Sequence, residues 1–185
     1  MADTGFVLVG TGANDAAFGS EAWINPTRVT ADDNSDATNS MSPGGGSTNY
    51  LKGTNLGLAI PAGSTIDGIE VRFEWWSSTG GENCTLTRCR MVKADGTIGT
   101  TDRSDGGVVP GSRTLKTLGG STDLWGETWA EADVEDIDFG FVMAINKTFS
   151  TVIEDLEVDA MWVKVYYTEA AAGSAKSLML LGVGR

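Results

Sequence analysis

The chain has 185 residues, of which 41% are hydrophobic, 25 are glycine and six are tryptophan, a composition typical of one folded β-rich domain with many turns. Its 25 acidic and 13 basic residues give a formal charge of −12, which disfavours nucleic acid and anionic lipid as partners. The sequence contains no histidine, so serine–histidine–aspartate hydrolysis and histidine-based zinc chemistry are excluded.

The first fifteen residues, MADTGFVLVGTGAND, lack the basic start and the long apolar run of a secretory signal. No window of the sequence reaches the roughly eighteen apolar residues of a membrane-spanning helix. We therefore expect a protein that is made and kept in the cytoplasm of its producer, without a membrane partner.

Alternation of apolar and polar residues with a period of two predicts about eight short strands separated by turns. In the clearest example, alternate residues from Ile69 to Trp75 face the core and the charged residues between them face water. In chain order the candidates are GFVLV (5–9), EAWINPTRVT (21–30), NYLKGTNLGLAI (49–60), IDGIEVRFEWWSS (66–78), NCTLTRCRMVK (83–93), SRTLKTL (112–118), FGFVMAIN (139–146) and LEVDAMWVKVYYT (156–168).

The connections between these strands contain one helical signal. Thr128 precedes Glu131 by three residues, which is the spacing of a capping box, and predicts a short helix over 130–136. The stretches MSPGGGSTN (41–49) and TDRSDGGVVPGS (101–112) are predicted to be flexible loops.

This pattern predicts an all-β fold, an antiparallel β-sandwich of jelly-roll-like topology with extended terminal arms. Residues 1–20 are interpreted as an N-terminal arm or first strand, and residues 21–168 as the sandwich. Residues 169–185 are interpreted as a small-residue linker followed by an apolar C-terminal arm.

The two cysteines, Cys84 and Cys89, are five residues apart. On a regular strand they point to opposite faces, so a disulfide between them requires a bend. Two reduced, half-buried thiols are the favoured interpretation.

The loop TADDNSDATN (30–39) alternates oxygen-bearing side chains at Asp32, Asn34 and Asp36, as calcium-binding loops do at their start. It lacks the glycine and the terminal glutamate of an EF-hand. A turn whose side chains bond their own backbone is the favoured interpretation, and calcium is the alternative. No organic cofactor is predicted.

Two further sets of residues suggest carbohydrate chemistry. Carboxylates in EADVEDID (131–138) and VIEDLEVD (152–159) are numerous enough for the acid pair of a glycosidase, but in so acidic a chain they are predicted to be solvated surface. Trp125 and Trp129 are interpreted as core or subunit contacts, with a sugar-stacking platform as the alternative. Of the adjacent pair Trp75 and Trp76, one is expected in the core and the other on the opposite face.

Several of these stretches together resemble a group of phage-encoded virion proteins, over most of residues 23–168. The shared pattern consists of structural features: turns, core aromatics and strands. Here it falls on Trp23, Asn25 and Pro26, on Asp33, Asn34 and Ala37, on residues 60–71, on Trp125, Gly126 and Trp129, on Phe139 and Gly140, and on Val163, Val165 and Tyr167. The resemblance implies a jelly-roll-like sandwich on a phage particle and brings no catalytic residue with it.

The C-terminal stretch TEAAAGSAKSLMLLGVGR ends on an apolar segment that is expected to be buried against something. We expect it to dock on a neighbouring protein, with a closing strand on its own domain as the alternative. The anchors are Leu178, Met179, Leu180, Leu181 and Val183.

The first functional hypothesis is therefore a non-enzymatic virion structural protein, most simply a capsid decoration or cement protein. It would form homo-oligomers, with a trimer favoured, and would bind the major capsid protein or other virion proteins on the particle surface. The alternative is a carbohydrate-binding module of a phage head or tail fibre that contacts host glycans through Trp125 and Trp129.

Overall fold

The computed structural model describes residues 1–171, which form two antiparallel sheets packed face to face, with two short helices in the connections. The strands are β1 (Ala2–Asp3), β2 (Val7–Leu8), β3 (Thr11–Asp15), β4 (Ala37–Met41), β5 (Gly44–Ser47), β6 (Tyr50–Thr54), β7 (Thr65–Ser77), β8 (Cys84–Val92), β9 (Thr114–Gly120), β10 (Gly140–Ser150) and β11 (Glu154–Thr168). The helices are a 3-10 helix at Pro26–Val29 and α1 at Glu131–Glu135.

Sheet A is built around β11, the longest strand. On one side β11 pairs with β7, which in turn pairs with β9. On the other side β4, β2 and β1 pair with successive stretches of β11, at 154–158, 162–163 and 166–167. Three short strands therefore share one edge of a single long one.

Sheet B is built around β10. One edge of β10 pairs with β8. The other edge pairs with β6 at Gly140–Met143 and with β5 further along, and β3 extends the sheet beyond β6.

The strand order is that of a jelly roll. Residues 98–109 run along the free edge of β8, where the amide of Gly99 donates to the carbonyl of Met91 (2.8 Å) and the amide of Val109 donates to the carbonyl of Cys84 (2.9 Å). The four main strands of sheet A lie in the order β4-β11-β7-β9. In sheet B the order is β6-β10-β8, and the 98–109 segment takes the fourth position. Two such four-position sheets, with the chain crossing repeatedly between them, define a jelly roll, and the predicted fold class is confirmed.

The core forms between the sheets because each sheet turns alternate residues inward. On β7, Ile69, Val71 and Phe73 are fully buried. Trp75 is also buried and meets Phe73 edge to face at 5.4 Å, whereas Trp76 lies half-buried on the outer side of sheet A. The predicted division of this tryptophan pair between core and opposite face is confirmed.

The chain departs from the strand pattern at two places. The strand predicted over 21–30 is wrong: Asn25 adopts a left-handed conformation (φ 53°) and Pro26 begins the 3-10 helix, because its fixed φ suits a first helical position. The loop predicted over 41–49 is also wrong in part, since Gly44–Ser47 form β5. Its glycines carry no periodic pattern, and the strand forms by backbone pairing with β10.

Residues 1–20, interpreted from the sequence as an arm or first strand, supply β1 and β2 to sheet A and β3 to sheet B. The anchors predicted at 178–183 lie outside the described residues. None of the helices in residues 1–171 is long and apolar enough to span a membrane.

Both cysteines face the core, contrary to the regular-strand expectation. The pairing of β8 with β10 slips between Leu86 and Arg88, leaving Thr87 as an extra residue. One extra residue reverses the alternation of faces, so Cys84 and Cys89 are both buried and both remain free thiols.

The predicted helix over 130–136 is confirmed as α1, but its cap lies two residues later than the sequence pattern suggested. The amide of Ala130 donates to the Asp133 carboxylate at 2.8 Å. Glu131 instead accepts from the amides of Gly63 and Ser64 and so ties the helix to the β6–β7 connection.

Candidate binding face on the outer side of sheet A

The outer side of sheet A is the surface that β7 and β11 turn away from the core. Its residues alternate between aromatic and charged types and face one another across the two strands. The cross-strand pairs are Glu70 with Lys164, Arg72 with Trp162, and Trp76 with Glu157.

One half of this face is organised around Phe6. The Arg72 guanidinium lies 3.5 Å and the Lys164 ammonium 4.5 Å from the centroid of the Phe6 ring, both within the range of cation–π attraction. Glu70 accepts from the Tyr166 hydroxyl at 2.7 Å and from Lys164 at 3.0 Å. Burial alone would raise the pKa of Glu70, but these two donors outweigh it and lower the pKa.

The other half is shaped by a bulge in β11. The pairing with β7 slips between Val158 and Met161, and Asp159 at this bulge is completely buried beneath the 30–36 loop. The loop closes over it because Asn34, in a left-handed conformation (φ 64°), donates its amide to Asp159 Oδ2 at 3.1 Å. A bulge commonly re-aims a side chain in this way.

Arg113, which immediately precedes β9, reaches into the same place. Its guanidinium lies 2.7 Å from Asp36 Oδ2, 3.2 Å from Glu74 Oε2 and 3.3 Å from Asp159 Oδ2, and it also lies over the ring of Trp76 at 5.2 Å. Burial opposes the charged form of Arg113, but the three carboxylates outweigh it and raise the pKa. Sequence patterns gave no signal for this convergence, because its members come from four separate segments of the chain.

This face also gathers most of the unpaired polar atoms. Within residues 1–171, five buried side-chain atoms have no hydrogen-bond partner, and four of them lie here: Asp36 Oδ1, Arg72 Nε, Trp76 Nε1 and Asp159 Oδ1. Buried polar atoms are normally bonded. Within the described residues, the outer side of sheet A is therefore the place where buried polar groups are least satisfied.

The predicted loop residues divide among different roles. Asp32 is exposed at the edge of the carboxylate group, Asn34 contributes its backbone amide, and Asp36 pairs with Arg113. The loop therefore does bring the Asp32 and Asp36 carboxylates to one region, but it does so around Asp159, a residue outside the predicted pattern.

Trp125 and Trp129 do not form an exposed platform. Trp125 is 1% and Trp129 7% exposed. Their indole N–H groups donate to the carbonyls of Ile69 (3.0 Å) and Leu124 (2.9 Å). Only an edge of Trp129 reaches an open polar cleft of about 330 Å³ beside the 93–95 turn. Their interpretation as core residues fits this placement, whereas the stacking interpretation does not.

The carboxylates predicted to be solvated are in part structural. Glu154 is 2% exposed and accepts from the amide of Gly81 (3.1 Å), the side chain of Asn83 (3.1 Å) and the hydroxyl of Thr79 (3.0 Å). The predicted solvation is therefore wrong for Glu154 and Asp159. Glu154, at the start of β11, holds the 79–83 turn, and Asp159, at the bulge within β11, holds the 30–36 loop.

An apolar tip lies at the end of the sandwich where β10 turns into β11. Phe149 is 82%, Val152 52% and Ile153 50% exposed. Beneath them Lys147, 1% exposed, donates to the carbonyls of Met41 (3.0 Å) and Val152. Exposed apolar side chains that follow one another on a hairpin are typical of contact surfaces.

No family model matches the chain, and no curated protein matches it. Among solved structures, one reported as "CBM4 structure and function" matches with 16% identity and a TM-score of 0.38, over 86% of this chain and 93% of that one. Another, concerned with carbohydrate-binding modules of the β-sandwich superfamily, matches with 16% identity and a TM-score of 0.37, over 86% of this chain and 56% of that one.

A third solved structure, described as a complex with a xylogluco-oligosaccharide, matches with 12% identity and a TM-score of 0.35, over 89% of this chain and 39% of that one. The chain thus spans about half or less of the length of two of these three proteins. The class to which its own strands assign it is the jelly-roll β-sandwich. None of these three structures is described as a phage or virion protein.

Proposed function

We propose that the protein is a non-catalytic binding domain and that the outer side of sheet A binds carbohydrate. The observation that carries the proposal is the pair of half-buried tryptophans, Trp76 and Trp162, set among charged side chains on a rigid sheet. An indole face packs against the apolar side of a sugar ring. Charged groups beside it bond hydroxyls with directionality.

The two indoles are separated along the sheet. Trp162 lies opposite Arg72, and Arg72 precedes Trp76 by four positions on the same strand, which corresponds to about 13 Å. This distance exceeds one sugar ring, so the favoured ligand is an oligosaccharide lying along β7. The charged groups of Arg72 and Glu157, which lie opposite Trp162 and Trp76, are the hydrogen-bonding groups beside the two indoles.

A glycan array followed by calorimetry on the best ligand tests the proposal. Trp162→Ala and Trp76→Ala are expected to abolish or greatly weaken binding, since stacking on an aromatic ring is lost. Phe18→Ala is the matched control, because Phe18 is a partly buried aromatic residue that packs on Tyr50 of sheet B (5.2 Å between centroids). An array without hits, or equal binding by all three variants, contradicts the proposal.

A second candidate function is attachment to a virus particle, as a capsid decoration or cement protein on the virion surface. It is favoured by the exposed tip of Phe149, Val152 and Ile153 and by the sequence resemblance over 23–168. Burial of apolar surface is the main driving force of stable protein association. The partner would be the major capsid protein or another virion protein, and the protein itself would be a homo-oligomer, with a trimer favoured.

Co-sedimentation with empty capsid shells tests this second function. Phe149→Asp should abolish binding to the shells if the tip makes the contact. Removal of residues 169–185 should abolish binding if the apolar anchors predicted at 178–183 make the contact. Ile137→Asp is the control, because Ile137 is 64% exposed and lies beside α1, away from the tip. Failure of the unaltered chain to sediment with shells argues against attachment.

A further inference from the structure

Three carboxylates from distant parts of the chain converge on the outer side of sheet A. One oxygen each from Asp32, Glu74 and Asp159 lie within 4.8 Å of one another. Asp32 comes from the loop after the 3-10 helix, Glu74 from β7 and Asp159 from the bulge of β11. Carboxylate oxygens at this spacing are close enough to share a single cation.

The innermost of these carboxylates is incompletely bonded. Asp159 has a side chain with 0% exposure; its Oδ2 is engaged by Asn34 and Arg113, but its Oδ1 has no partner. Asp36, which also contacts Arg113, likewise has a buried Oδ1 without a partner. A buried carboxylate oxygen without a hydrogen-bond donor is destabilising, and a directly bound cation would supply its missing partner.

The charge balance points in the same direction. Asp32, Asp36, Glu74 and Asp159 bring four negative charges, and Arg113 supplies one positive charge among them. Arg28 adds a second only at the margin, through a 3.3 Å bond to the backbone carbonyl of Asp36. The group therefore keeps an excess of negative charge that no other ion pair in residues 1–171 offsets.

We propose that Asp32, Glu74 and Asp159 bind a calcium ion, with Asp36 beside them. The donor set consists of oxygens alone, which suits a hard cation and not zinc or copper. Calcium accepts six to eight ligands in irregular geometry, so three carboxylates, bound through one or two oxygens, leave room for water. Arg113 then pairs with Asp36 and yields its weaker contacts to Glu74 and Asp159.

The cation would also fix the fold locally. It adds to the bonds that hold the 30–36 loop on β7 and β11, which are those of Arg113 and of the Asn34 amide. Binding to the folded chain alone stabilises that chain in proportion to the ligand concentration. Calcium is therefore expected to raise the thermal midpoint, and a chelator to lower it. This inference does not depend on either function proposed above.

The test is calcium titration of the chelator-treated full-length protein, by calorimetry and by thermal melting. We expect one site and a melting temperature that rises with calcium. Asp32→Asn should weaken the affinity at least about tenfold, because even a residue that only orients a metal ligand contributes that much. Glu74→Gln should have the same effect. Asp33→Asn is the matched control, because Asp33 is the adjacent exposed acid and bonds only the amide of Ser35.

Asp32, which is exposed, and Glu74, which is half-buried, are chosen for substitution because replacing the buried Asp159 risks unfolding the chain. A response to calcium in the wild type and in Asp33→Asn, but not in the other two variants, supports the site. No heat and no change in melting temperature for the wild type overturns it. An equal response of Asp32→Asn and Asp33→Asn also overturns it, since the ion is then held elsewhere.

Discussion

Trp125 occupies a conformation that a bulky residue rarely adopts, and this allows a sharp stability test. Trp125 (φ 57°) and Gly126 (φ 72°) are the central residues of a turn closed by the amide of Glu127 and the carbonyl of Leu124 (3.1 Å). Positive φ at both central positions is the requirement of a type I′ turn. The left-handed conformation costs a non-glycine residue about 1–2 kcal/mol, which burial of the indole must offset.

Replacing Trp125 by alanine removes a fully buried indole and its bond to the carbonyl of Ile69. We expect the free energy of unfolding to fall by about 3–5 kcal/mol. Trp125→Gly creates the same cavity but relieves the backbone. Glycine avoids the cost of the left-handed conformation, about 1–2 kcal/mol, but its freer unfolded chain takes back about 0.4–1 kcal/mol. The Trp125→Gly variant is therefore expected to be more stable than Trp125→Ala by about 1 kcal/mol.

Urea unfolding followed by tryptophan fluorescence and circular dichroism measures both values. Trp129 supplies the control, since it is also buried in the same loop but is not among the residues with positive φ. There the ordinary order, alanine more stable than glycine, is expected. If Trp125→Gly is less stable than Trp125→Ala, the turn does not hold the proposed strain. If Trp125→Ala lowers the free energy of unfolding by less than about 1 kcal/mol, burial of the indole does not offset that strain.

Three further predictions concern buried groups. Burial raises the pKa of the Cys84 thiol to about 12 and also raises the pKa of the Cys89 thiol. Neither thiol should therefore react with a thiol reagent at pH 8 until the protein is unfolded, and rapid labelling of the native protein would contradict this prediction. Lys147→Met leaves buried carbonyls without their charged donor and should lower the free energy of unfolding by about 3 kcal/mol, as measured by urea titration, whereas an unchanged midpoint would show that the carbonyls are otherwise satisfied. Burial would raise the pKa of Asp102, but backbone amides and nearby arginines outweigh burial and lower the pKa. The Asp102 carboxylate therefore stabilises the fold above its unfolded pKa of about 3.9, and this stabilisation is lost as the pH falls through the lower folded pKa. The stability difference between wild type and Asp102→Asn should accordingly shrink in acid, and a difference constant from pH 7 to pH 2 would refute the assignment.

β7 could be predicted from sequence within one residue of its observed bounds, because one of its faces is apolar and burial enforces the period. β11 was predicted within two residues of its bounds, although it alternates less cleanly and carries apolar residues on both faces, as central strands do. β5 could not be predicted, because its glycines form a strand only through the backbone of β10. The same reason explains the cysteines: a bulge at Thr87 depends on the partner strand and leaves no trace in composition.

The candidate face was predicted only in fragments. The alternation of 30–39 drew attention to Asp32 and Asp36, and the adjacent tryptophans indicated that Trp76 faces away from the core. What brings them together is the path of Arg113 and the bulge at Asp159, which are long-range features. Trp125 and Trp129 were ambiguous because a tryptophan in a loop has no period from which burial can be inferred.

The pairing of β1 with the last residues of β11 has a geometric consequence for anything joined to this domain. Ala2 lies opposite Tyr167, so the start of β1 and the end of β11 lie at the same end of the sandwich. The apolar tip lies at the start of β11, some 45 Å away along a strand of this length. Fluorophores on Ala2 and Tyr167 would therefore lie close together, whereas a fluorophore on the tip would lie far from both.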